Sequence, residues 1–197
     1  MGSMSFLEKF FVNHENKRSV PREVLGLLTR AHITLTGSFL EIGAGLGYTS
    51  SAIYDQYHPD RVVVSDYDSA QVRGALVWIR EKYGFIPSEF EFRQESALHL
   101  SFDDATFDFV LATLVFHHVE NQFWQFVNTP LAAREVQRVL KPAGYFIFRD
   151  IFRLKKVDAL FMEKGFDIMI STRMERIYRK SGSQGTRDHQ GMGFDGD

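Results

Sequence analysis

The sequence predicts an α/β fold: a doubly wound, mostly parallel sheet that ends in a C-terminal antiparallel hairpin and carries an N-terminal helical cap. Three observations carry this. From Phe39 onward, strand-like apolar runs alternate with helix-like runs, the pattern of βαβ units. The first run ends in an acid and a loop with glycine at every second position, Glu41-Ile42-Gly43-Ala44-Gly45-Leu46-Gly47, after which a helix-like segment opens. Only residues 172–174 separate the last two strand-like runs, which suits a hairpin and is far too short for a crossover.

In order along the chain, residues 5–12 hold Phe6, Leu7, Phe10 and Phe11 at helical spacing. Pro21 sits where a second helix can start, followed by Val24, Leu25, Leu27 and Leu28. These two helices either cover a sheet edge or form a lid over a pocket. Strands are expected at 39–42, 61–65, 90–93, 107–112, 145–148, 166–171 and 175–180, and helices at 49–57, 69–83, 131–140 and 154–163. Leu76, Ile79 and Tyr83 give the second of these helices an apolar stripe. In such sheets ligands bind beyond the carboxyl ends of the strands, where the glycine loop lies.

The chain has 197 residues, 44% of them hydrophobic, which suits one core rather than two. We expect a single domain over 4–180, with the cap at 4–35 and the sheet at 36–180, and a disordered tail at 181–197, where Gly and polar residues lack periodicity. Residues 1–3 before Met4 look like a cloning remnant. The formal net charge of −2 argues against a nucleic-acid binder. The absence of cysteine excludes disulfides, thiolate metal sites and Cys nucleophiles, and fits a cytoplasmic location. No apolar run is long enough to span a bilayer and no basic-then-apolar leader is seen.

The glycine loop narrows the ligand. A phosphate-cradling P-loop needs Lys after its last glycine, and Tyr48 stands there. A dinucleotide fingerprint needs Gly-x-Gly-x-x-Gly, and Gly43, Gly45 and Gly47 have the wrong register. About 20 residues on, Asp66 ends the next strand, where an acid can accept from two ribose hydroxyls.

With these pieces in order, the chain resembles the class I S-adenosylmethionine-dependent methyltransferases over about 36–180. Glu41 to Gly47 is similar to their first motif, Asp66 to their ribose acid, 96–102 to their adenine loop and 107–111 to their fourth strand. His117-His118-Val119, Glu135 and the run Arg138 to Gly144 resemble the small-molecule branch that includes quinone-biosynthesis enzymes. The resemblance implies a Rossmann-like, seven-stranded core and S-adenosyl-L-methionine as cofactor. It implies that backbone at Gly43, Ala44 and Gly45, with Gly47 closing the loop, passes under the methionine part, and that Glu41 helps hold its amino group. Asp66 would take the ribose hydroxyls, Tyr67 would lie against the adenine, the Ala97 N–H would reach an adenine nitrogen, and Thr113 and Leu114 would border the sulfonium. One departure is Ser96, where the family often has an acid.

Methyl transfer leaves the protein the tasks of position and electrostatics. An oxygen or carbon nucleophile usually has a proton to lose, and His118 or His117, just past the fourth strand, suits that, with His118 favoured and Asp150 a further candidate. The alternative is that the histidines only fix the loop or the substrate. No metal site is expected, because the histidines have no ligand spacing. Residues 121–127 are aromatic and would suit a small organic or lipid-like acceptor, or ordinary packing. Arg149, Arg153, Lys155 and Lys156 form a basic cluster for an anionic substrate, a membrane surface or plain solvation. A non-catalytic cofactor-binding scaffold, or a methyltransferase acting on protein or RNA, is the competing reading. The apolar cap equally suits a homodimer face.

Overall fold

The computed structural model describes residues 19–120, 125–151 and 153–182. The expected helix at 5–12, the aromatic residues 121–124 and the tail beyond 182 lie outside the described residues. Within them the chain runs α1 (Ser19–Arg30), β1 (Ser38–Ile42), α2 (Tyr48–Tyr57), β2 (Arg61–Asp66), α3 (Ser69–Tyr83), β3 (Phe90–Gln94) and β4 (Phe107–Thr113). It continues through α4 (Phe116–Val119), α5 (Thr129–Val139), β5 (Leu140–Arg149), α6 (Leu154–Glu163), β6 (Phe166–Ser171) and β7 (Glu175–Lys180).

The strands form one seven-stranded sheet in the order β3-β2-β1-β4-β5-β7-β6. β1 to β5 are mutually parallel, and β7 pairs antiparallel with both β5 and β6. The fold is therefore the doubly wound Rossmann-like sheet with a terminal hairpin. The order reverses between β1 and β4, so a crevice opens there at the carboxyl ends of the strands.

Successive strand residues point to opposite faces, which splits the core in two. Leu40, Ile42, Val110, Ala112, Phe146 and Phe148 pack with Ala132 and Val136 of α5 and Val157 and Phe161 of α6. Phe39, Val62, Val64, Leu111 and Ile147 pack with Val24 and Leu28 of α1, Ile53 of α2 and Ile79 of α3. By the same alternation, Glu41, Thr113 and Arg149 lie on the second face, beneath α1.

Apart from shifts of one or two residues at element ends, one strand start and one short helix differ from expectation. β5 begins at Leu140 rather than 145, because Leu140 pairs with Phe107 across a register shift before regular pairing resumes at Phe109 with Tyr145. Gly144 permits this close entry: a Cβ there would lie 2.9 Å from the Asp108 carbonyl oxygen. The short α4 was not expected, since four residues carry no periodic signal. No described helix is long and apolar enough to cross a membrane.

Candidate active site

Gly43, Gly45 and Gly47 all adopt left-handed backbone, with φ of 67°, 55° and 73°. At Gly43 this is compounded by crowding, because a Cβ would lie 2.5 Å from Val115 Cγ2. At Gly47, which caps α2 without a side chain, a Cβ would meet Val64 at 3.3 Å. The loop is thereby wedged between β2 and the segment after β4. The Ala44 N–H donates to the Ser65 carbonyl at 2.8 Å and fixes its path.

Two carboxylates brace this loop, Glu41 buried and Asp66 partly buried. Glu41 is 3% exposed and accepts from the Ser50 N–H at 2.9 Å and from the Ser50 hydroxyl. Burial raises its pKa to about 7 against the lowering effect of these hydrogen bonds. Asp66 accepts the Gly45 N–H at 2.9 Å on one oxygen and the Asp68 N–H at 2.9 Å on the other. Burial raises its pKa too, with the backbone donors opposing. Tyr67, the next residue, is 63% exposed and lies open on the nucleoside side.

Ser96 and Ala97 follow β3. The Ser96 hydroxyl accepts from the Leu98 N–H at 3.3 Å. The neighbouring Glu95 is buried, and its carboxylate is occupied by the Ser101 N–H and hydroxyl. Ser96 is therefore the polar side chain at this place. The loop is locked from below: Arg138 donates to the carbonyls of Leu100 at 2.8 Å and Phe102 at 2.6 Å, while Glu135 accepts the Leu100 N–H at 2.8 Å. Glu135 and Arg138 thus act on the shape of the loop and stand apart from the chemistry.

At the other end of the crevice, β4 ends at Thr113, and Leu114 turns sharply with φ 56°, its N–H donating to the Arg149 carbonyl at 2.7 Å. A non-glycine in left-handed backbone costs of order 1 kcal/mol, a strain that recurs at ligand sites. Asp150, fully buried, gathers the Phe116 N–H at 3.0 Å, the Ile151 N–H at 2.7 Å and His117 Nδ1 at 3.0 Å. The Asp150 oxygens already accept from two backbone N–H groups, so His117 presents Nδ1–H to them. The His118 ring lies 3.9 Å from that of His117, centroid to centroid. Partial desolvation and the His117 charge lower the His118 pKa, while the charges of Asp150 and Asp66 oppose. His118 is thus within electrostatic reach of both ends of the crevice, and its ring is open to solvent.

A cleft of about 60 Å³ lies between the glycine loop and the end of β4, lined among others by Val20 of α1, Glu41, Gly43, Ala44, Thr113 and Leu114. It is too small for a whole nucleoside, and the surface by Asp66 and Tyr67 is more open. Thr113 Oγ1 is buried and has no hydrogen-bond partner among the described residues, which fits a polar ligand group there. Among the described residues no group of three or more His, Asp or Glu is placed to hold a metal ion.

Sequence reasoning missed Glu120, which is buried and accepts from the N–H groups of Val127, Asn128 and Thr129 and from the Thr129 hydroxyl at 2.7 Å. Burial alone would raise its pKa, but these donors outweigh it and hold it low. It ties residues 127–129 to the end of α4. Glu120 directly follows α4 and stands nine residues ahead of Thr129, so no local motif singles it out. His99 is exposed after β3, and His14 and His189 lie outside the described residues.

The model of a methyltransferase domain matches residues 40–148. An uncharacterised methyltransferase of Bacillus subtilis, YcgJ, is 33% identical over 129 residues, 65% of this chain. The chain spans less than half (46%) of that relative's length. The crystal structure of YcgJ superposes with a TM-score of 0.63 at 25% identity, covering 75% of this chain and 69% of that one. A SAM-dependent methyltransferase from Aquifex aeolicus superposes with a TM-score of 0.69 at 15% identity, over 90% and 98% of the two chains, a likeness of fold. More than half of the chain is matched by the family model, and it belongs to the methyltransferase-domain family of class I S-adenosylmethionine-dependent methyltransferases.

Proposed function

We propose that this domain transfers a methyl group from S-adenosyl-L-methionine to a small organic or lipid-like acceptor, in the cytoplasm. The observation that carries the reading is a backbone-lined cleft between the glycine loop and the end of β4, with Asp66 tied to Gly45 of that loop and the Asp150-anchored His117 following shortly after Leu114. When bound, the cofactor supplies an activated methyl on a sulfonium for in-line displacement. The chain's residues do the rest. Glu41 and the loop backbone hold the amino-acid end, and Asp66 takes the ribose hydroxyls. Tyr67 and the 96–97 backbone face the adenine, while Thr113 and Leu114 border the reacting centre.

His118 takes the acceptor's proton in this reading. Its lowered pKa keeps it neutral at pH 7, as a base must be. Asp150 acts through His117 as a positioning residue, fixing the ring against which His118 rests. An apolar acceptor is supported by Val127, Leu131 and Ile151, which are 67%, 48% and 59% exposed at the carboxyl end of the sheet.

Titration calorimetry should show micromolar-range binding of S-adenosylmethionine and S-adenosylhomocysteine. Labelled methyl transferred to a cell extract should then appear in the low-mass fraction. No binding of either compound rejects the whole reading. Label in protein or RNA rejects the small acceptor, and tight binding without any transfer favours a scaffold.

A further inference from the structure

We infer that Arg149 and Thr113 form an oxyanion subsite that takes the carboxylate of the acceptor. The inference rests on the methyltransferase reading and deepens it. Thr113 and Arg149 are register partners at the carboxyl ends of β4 and β5. Side chains of register partners point to the same face, here the one beneath α1. Both bear a buried polar atom with no partner among the described residues, Thr113 Oγ1 and Arg149 Nε. Two such atoms on adjacent strand ends, one of them lining the cofactor cleft, ask for one shared acceptor group.

The charge of Arg149 is left partly available. Its side chain is only 12% exposed, and its ion pair runs from Nη2 to Glu23, a carboxylate 42% exposed on α1. The acid on its other side, Glu175, already takes Arg30 at 3.2 Å and the Thr172 hydroxyl at 3.1 Å. A guanidinium binds a carboxylate best through two parallel N–H groups, and its Nε edge still has a donor to give. Position selects the acceptor as the source of the anion. The strand order places Arg149 one strand beyond Thr113, away from the glycine loop and toward the exposed Ile151. The acceptor is then an amphipathic acid, with its carboxylate on Arg149 and its apolar body toward Val127 and Ile151.

The test uses the full chain and a matched pair of probes, benzoate and its neutral isostere benzamide, each titrated with and without S-adenosylhomocysteine. The Nε–H signal of Arg149, assigned by its loss in Arg149→Met, should move with benzoate and stay still with benzamide. Benzoate should bind about tenfold more tightly than benzamide. Thr113→Val, nearly isosteric, should cut that preference about threefold, and Glu23→Gln, which removes the competing carboxylate, should raise benzoate affinity about threefold. Equal binding of the two probes, or an unmoved signal, overturns the subsite and leaves Arg149 as a tie to α1. A third outcome moves the anion to the cofactor and overturns the acceptor assignment: Arg149→Met weakens S-adenosylhomocysteine tenfold while 5′-methylthioadenosine, which lacks the amino-acid part, binds as before. Failure of the nucleotides to bind at all sinks the methyltransferase reading alone, because the probe pair is also read in their absence.

Discussion

The two ends of the crevice are built by different means. At the cofactor end, the loop after β1 and the acid ending β2 lie about 20 residues apart, and the recognition surface is mostly backbone. Its side chains, Glu41 and Asp66, spend their oxygens on the N–H groups of Ser50, Gly45 and Asp68, holding that backbone open. At the proposed acceptor end, the groups are side chains brought from far apart in sequence: His117 meets Asp150 across 33 residues, and Arg149 at the end of β5 meets Glu23 of α1. A backbone cradle tolerates few changes, because glycine is required wherever φ is positive and a Cβ would collide. A cradle of side chains can be rewritten one residue at a time. The first suits an invariant cofactor, the second a changeable acceptor.

The sharpest way to separate the two ends is His118→Gln. It should lower methyl transfer by about 10²–10⁴-fold while S-adenosylhomocysteine binding stays within twofold. The lowered pKa adds a sign. A neutral base is lost by protonation, so the wild-type rate should fall as pH drops below the ordinary histidine value of 6.5, and this acid limb should vanish in the variant. Single-turnover transfer to the extract's low-mass fraction measures both. A matching loss of nucleotide binding would merge the two ends into one.

This division also explains what was legible in the sequence. The alternation of elements, the hairpin read from residues 172–174 and the positions of Gly43, Gly47 and Asp66 are local signals, each within one strand-loop-helix unit. The anchoring of His117 by Asp150 is not local, and Asp150 alone reads as a helix cap. Glu120 was hidden for the same reason, because its donors at Val127, Asn128 and Thr129 stand seven to nine residues further on. The early start of β5 was unreadable because Lys141-Pro142-Ala143-Gly144 carries turn residues, and the pairing of Leu140 with Phe107 overrides that preference.

The cofactor end makes a prediction of its own through Glu41. Its folded pKa is raised from 4.5 to about 7, so between these values the folded state holds a proton that the unfolded state has released. Stability is full below pH 4.5 and should fall by about 3 kcal/mol as pH rises to 7 and beyond. Glu41→Gln keeps an acceptor for Ser50 and should flatten this slope in urea unfolding measured at pH 5 and pH 8. An unchanged slope would place the titration elsewhere. A somewhat smaller effect is expected at Asp66. Asp66→Ala removes two charge-assisted contacts to the nucleoside and the acceptor for the Gly45 N–H, and should weaken S-adenosylhomocysteine about 10- to 100-fold. Affinity unchanged by calorimetry would remove Asp66 from the site.

The smallest effect tests whether the cofactor end is finished. Ser96 offers a hydroxyl where a carboxylate would accept more strongly from the adenine amino group, and Glu95 cannot substitute because Ser101 occupies it. Ser96→Asp should therefore tighten S-adenosylhomocysteine by about fivefold, the difference between a neutral and a charge-assisted hydrogen bond at a half-exposed place. The gain should disappear with S-inosylhomocysteine, which carries a carbonyl in place of the amino group and would face the new carboxylate with repulsion. If both nucleotides respond alike, the aspartate is acting on the loop through the Leu98 N–H that Ser96 now accepts, and the adenine is held by backbone alone. The cofactor end would then depend on backbone even where a side chain stands ready, and its contrast with the acceptor end would be complete.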